Sequence, residues 1–75
     1  MTENEIKEKI HNEFINAIAW ERAYKLDALH PNATLDTKLE HKFYSGVVYG
    51  LGDLICALWG VDTYVRFLED ADIGI

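Results

Sequence analysis

The chain has a single proline, Pro31, and no glycine before Gly46. A proline lacks a backbone donor, and its ring pushes the preceding residue out of the helical region. Any helix running into this point must therefore end near Leu29. Upstream, Ile6, Ile10, Phe14, Ala17, Ile18, Tyr24 and Ala28 recur at the three-and-four spacing of one helix face. Thr2 and Glu5 have the spacing of a capping box, which starts this helix at about residue 3. Downstream, Pro31 to Asp36 is a short polar connection in which Asn32, Thr34 and Asp36 all compete to cap a second helix. Leu35, Leu39, Phe43, Val47, Leu51, Leu54 and Leu58 then continue at helical spacing up to Gly60, a natural stop. Asp62 can cap a short third helix carrying Val65 and Leu68. None of these apolar patterns has the period of two that a strand requires. The reading is an all-α single domain over residues 1–75, with helices over about 3–29, 35–59 and 62–69. The tail beyond Glu69 carries no strong signal.

A short connection makes the two long helices antiparallel neighbours, a helical hairpin. That hairpin leaves much apolar surface unaccounted for. The first helix has a second apolar seam at Ile15, Ala19 and Leu26, and the second is apolar nearly all round beyond Phe43. A chain of 75 residues buries only a modest fraction of its surface alone. The usual supports are missing: Cys56 is the only cysteine, and one cysteine with three scattered histidines gives no zinc spacing. Self-association is the remaining remedy, and two hairpins packed as a homodimeric bundle would cover both seams. Gly46, Gly50 and Ala57 form a stripe of small residues that lets another backbone approach. With Ile15, Ala19, Leu26 and the large ring of Trp59, they are the expected interface.

Composition excludes several classes of function. Thirteen acidic residues against seven basic ones leave a net charge of −6, unsuited to nucleic acid or an anionic membrane surface. From Phe43 to Val61 only Asp53 is charged, and the length approaches a membrane span. A carboxylate at the centre of such a span costs roughly 2.5–3.5 kcal/mol, so a helix buried in an oligomer is the better expectation. The polar, acidic N-terminus fits no secretory signal, and a lone cysteine suits a reducing compartment. The expected location is cytoplasmic.

Asp53 is the most informative polar position. A carboxylate within an apolar helix must be paired or partly solvated, and in the hairpin it lies about level with His11. The expectation is an Asp53–His11 contact, with Arg22 or Tyr49 as the alternative partner. Lys7, His11, Arg22 and Lys25 share one side of the first helix. With Asp53 and Tyr49 they are candidate walls for a small anionic ligand held between helices. Glu13, Glu21, Glu40 and Asp53 are a candidate divalent-metal set if they converge in the bundle. No catalytic motif is present: there is no phosphate-binding glycine loop, no base is placed beside Cys56, and Ser45 is the only serine.

The segment Gly50-Leu51-Gly52-Asp53-Leu54-Ile55-Cys56-Ala57-Leu58 resembles one metal-binding helix of the all-α nucleoside triphosphate pyrophosphohydrolases. The resemblance covers about nine residues and implies a helical bundle in which Asp53 matches a magnesium-binding aspartate. The family's glutamate three residues earlier is replaced by Gly50. Glu5 and Glu8 have the spacing of its second acidic pair but lie far upstream. The resemblance therefore implies a relict bundle without catalysis. The chain is also similar in make-up to small acidic accessory proteins of bacteriophages and mobile elements.

Taken together, these features describe a small non-enzymatic interaction protein, without cofactor, that modulates a partner protein. One alternative is a sequestering binder of a nucleotide-like anion in an inter-helix groove. The other is a divalent-metal-dependent nucleotide hydrolase.

Overall fold

Threonine hydroxyls set the start of both long helices. The computed structural model describes residues 1–73, and the Thr2 side chain accepts a hydrogen bond from the Glu5 amide to open α1, Glu3–Ala28. Thr34 accepts one from the Thr37 amide to open α2, Leu35–Trp59. Of the three competing caps, Thr34 wins because its hydroxyl reaches a free amide in the first turn. The α1 chain leaves its helix through Leu29 and turns over Pro31 before Thr34.

The third helix differs from the sequence expectation. α3 spans Val61–Asp72, so it starts before Asp62 and runs beyond residue 69. No side chain caps it. Gly60, with φ of 88°, turns the chain directly from α2 into α3. Only glycine adopts that φ cheaply. Asp62 sits inside the first turn, where a carboxylate suits the positive end of the helix dipole.

The fold is all-α, three helices with no strand among the described residues. α1 and α2 form the antiparallel hairpin, and α3 folds back over the end remote from the connection. The core gathers there: Phe14 and Ile18 of α1, Ile55 of α2 and Phe67 of α3 form one buried cluster. Ile10, Val48, Leu51, Trp59, Tyr64, Leu68 and Ala71 pack around it. Near the connection the hairpin is held by rings instead. Tyr24 stacks on Tyr44 with centroids 5.6 Å apart, and Trp20 lies against both.

α2 meets its neighbours through a different face from the one its leucine spacing suggests. Val48, Gly52 and Ile55 turn inward, and Gly52 admits the Tyr64 ring; a Cβ there would lie 2.9 Å from Tyr64 Cε2. Of the expected apolar set, Leu51 packs on the core and Val47 is half-buried. The others are exposed, from 41% at Leu54 to 71% at Leu35. A helix apolar on two sides can bury only one against a single hairpin partner and a short third helix. Among the described residues no helix is long and apolar enough to cross a membrane.

Candidate functional site

Among the described residues three pairs of side chains tie the helices together, and none involves Asp53. His11 Nε2 lies 2.8 Å from an Asp70 carboxylate oxygen, joining α1 to α3. The His11 ring also meets the Phe67 ring edge-on at 4.5 Å. Arg22 pairs with Asp72 in an exposed contact between the same two helices. His41 of α2 faces Glu21 of α1 at 3.0 Å. The expected Asp53–His11 contact is therefore corrected: the level along the hairpin is shared, but the faces are not. Asp53 is exposed on the outer side of α2, while α3 folds over α1 and supplies Asp70 to His11. Neither alternative holds, since Arg22 is engaged by Asp72 and no hydrogen bond joins Tyr49 to Asp53 among the described residues.

The polar cluster of Glu21, His41 and Ser45 resembles the ingredients of a nucleophilic relay but lacks its geometry. Ser45 Oγ lies 3.5 Å from His41 Nε2, the same ring nitrogen that meets Glu21. A relay needs the nucleophile and the orienting carboxylate on opposite ring nitrogens. With Nε2–H donating to Glu21, no lone pair on that nitrogen is left to take the serine proton. The cluster is a structural pin between α1 and α2. His41 was invisible to the sequence reading because only the fold brings it to Glu21.

An open groove of about 480 Å³ runs beside this pin, lined by Glu21, Ser45, Val48, Tyr49, Gly52, Asp53, Cys56 and Tyr64. It unites Tyr49 and Asp53 of the expected anion-binding set and excludes the rest. Lys7 lies over the Trp59 ring at 5.6 Å, Lys25 is exposed, and His11 and Arg22 are occupied by α3. Two carboxylates line the groove and no Lys or Arg does, the wrong charge for a nucleotide-like anion. Cys56 is a free, half-buried thiol at its wall.

The candidate metal set does not converge. Glu13, Glu40 and Asp53 are exposed, and Glu21 faces His41. Among the described residues no three histidine, cysteine or acidic side chains are grouped to hold a metal ion. Gly50, at the position of the missing family glutamate, is exposed with open space beside it.

What remains is the outer face of α2. Leu35, Leu39, Phe43, Gly46, Gly50, Leu54 and Ala57 follow one another every three or four residues and are all exposed. Leu58 adds to one edge. Phe43 is 62% exposed and touches Tyr44 edge-on. A Cβ at Gly46 or Gly50 would meet nothing within 4 Å. The expected interface residues divide between this face and others. Gly46, Gly50 and Ala57 lie on it. Ala19 and Leu26 are exposed on α1, Ile15 is half-buried there, and Trp59 packs against the protomer's own core. Compared with known protein families, curated proteins and solved structures, the chain matches none.

Proposed function

We propose that this protein is a non-enzymatic interaction module that works by docking the outer face of α2 on another polypeptide. One observation carries the reading: the apolar face runs the length of a 25-residue helix and none of the described residues covers it. Scattered exposed leucines need no explanation, but a continuous apolar strip on a small protein marks a contact surface. The polar groups support the same view. The histidines His11 and His41 tie helices together through Asp70 and Glu21, and the groove beside Asp53 lacks the cations an anionic substrate needs.

The test is a Leu39→Lys, Leu54→Lys variant compared with the unaltered protein by crosslinking in the cells that make it. Both leucines are exposed, so circular dichroism should show an unchanged helix content. The expected result is loss of the crosslinked species. Crosslinked species identical in both proteins would end the reading, as would nucleotide turnover that depends on Asp53.

A further inference from the structure

We propose that the polypeptide at this face is a second copy of the chain, seated as an antiparallel α2–α2 pair about a two-fold axis passing between Gly46 and Val47. The proposal rests on the docking reading and names its occupant.

Shape is the first ground. The face repeats every eleven residues: Leu35, Gly46 and Ala57 are one set, Leu39 and Gly50 another, Phe43 and Leu54 a third. Eleven residues make almost a whole number of helical turns, so the strip runs nearly straight and two copies can lie along each other. With the axis between Gly46 and Val47, the strip complements itself. Phe43 falls opposite the partner's Gly50, where an added Cβ would find only open space. Leu39 falls opposite the partner's Leu54, and Leu35 opposite the partner's Leu58. Each large ring enters a gap, and each leucine meets a leucine. The small residues at the centre let the backbones approach closely.

Charge is the second, independent ground. In an antiparallel pair related by a two-fold axis, each edge of the strip meets the same edge of the partner. Lys38, Lys42 and Asp53 all lie on one edge and are exposed. At this register the partner's Asp53 stands level with position 40, midway along the helix between Lys38 and Lys42. A slide of one turn either way leaves it beside only one of them. The opposite edge carries Asp36 and Glu40. Asp36 falls level with the partner's Ala57; Glu40 is level with the partner's Asp53 but lies on the other edge, with the apolar strip between them. Asp53, which makes no ion pair among the described residues, thus gains two.

Position is the third ground. The strip lies on the side of α2 away from Val48, Gly52 and Ile55, which face α1 and α3. Two copies therefore meet without their other helices colliding. One helix of 25 residues gives a contact about 37 Å long. That is at the small end of specific interfaces, and the dissociation constant is expected in the micromolar range.

The experiment is sedimentation equilibrium of the full chain across the micromolar range, joined to disulfide trapping in a Cys56→Ser background. Gly46→Cys places a thiol beside the axis and should trap a covalent dimer. Leu35→Cys, at the end of the strip, should not. Phe43→Ala should raise the dissociation constant by about 100-fold or more, as for a central aromatic anchor. Asp53→Lys should raise it by about tenfold, the scale of the four weak exposed ion pairs that the two-fold creates. Adding Lys38→Glu and Lys42→Glu to Asp53→Lys should restore it. Trapping through Leu35→Cys as readily as through Gly46→Cys would mean a parallel pair and overturn the proposal. A monomer of native helix content at every concentration would overturn it too, as would failure of the charge swap to restore binding. If the chain is monomeric while Leu39→Lys, Leu54→Lys still removes its cellular crosslinks, self-docking fails and the docking reading survives. A dimer unaffected by that double variant would end both.

Discussion

An alanine Cβ at Gly46 or Gly50 would meet nothing, whereas one at Gly52 would press on the Tyr64 ring at 2.9 Å. The protomer therefore sets Gly52, buried against α3, apart from the two glycines of the exposed stripe. In a helix interior glycine is less favourable than alanine by roughly 0.8–1.0 kcal/mol. Gly50→Ala should stabilise the isolated protomer by about that amount in urea unfolding. Gly52→Ala gains the same propensity but forces the Tyr64 ring, packed on the core, to move. Overpacking typically costs about 1–3 kcal/mol, so this variant should be net destabilised by roughly 1 kcal/mol. Equal effects at the two positions would contradict the close α2–α3 approach. At the same scale, Asp70→Ala removes the acceptor facing His11, a part-buried contact. A loss of about 1 kcal/mol is expected, the ordinary net worth of such a hydrogen bond. Asp53→Ala, which breaks no contact in the protomer, should cost nothing when unfolding is followed at concentrations below dimerisation.

The helices themselves were readable because their signals are local. Thr2 with Glu5, the break before Pro31 and the turn at Gly60 each act within a few residues, and the helix ends follow them closely. The phase of α2 was not readable. Its leucines and its Val48–Ile55 side are both apolar, and a periodic pattern cannot say which side meets α1. Gly52 decides it through an approach to Tyr64, a residue of the helix that carried the weakest sequence signal. The same blind spot explains the misplaced Asp53–His11 pair, since Asp70 belongs to that third helix. Cap strength gives a test at this scale. Thr34→Ala removes the hydroxyl that accepts from the Thr37 amide and should lower stability by about 1 kcal/mol, within the usual range of roughly 0.5–2. Thermal unfolding of Thr34→Ser, which keeps the hydroxyl, should stay close to that of the unaltered chain.

For a molecule of 75 residues the total stability is expected to be about 4–11 kcal/mol. Against that figure the α3 contribution is decisive. Phe67 is 6% exposed and closes the cluster of Phe14, Ile18 and Ile55, and Phe→Ala in such a core typically costs about 3–5 kcal/mol. Phe67→Ala should therefore leave the protomer marginal, with a broad thermal transition. A narrow margin also makes association visible as stability. A ligand that binds only the folded state raises apparent stability with its concentration, and for a self-docking chain the ligand is the protein itself. The thermal midpoint of the unaltered protein should rise steadily with protein concentration through the micromolar range. That of Phe43→Ala should not, because Phe43 is 62% exposed and contributes little to the protomer core. The comparison separates the two roles of apolar surface in this chain. Removing Phe67 should lower the midpoint at every concentration, whereas removing Phe43 should flatten its concentration dependence and leave the dilute value unchanged.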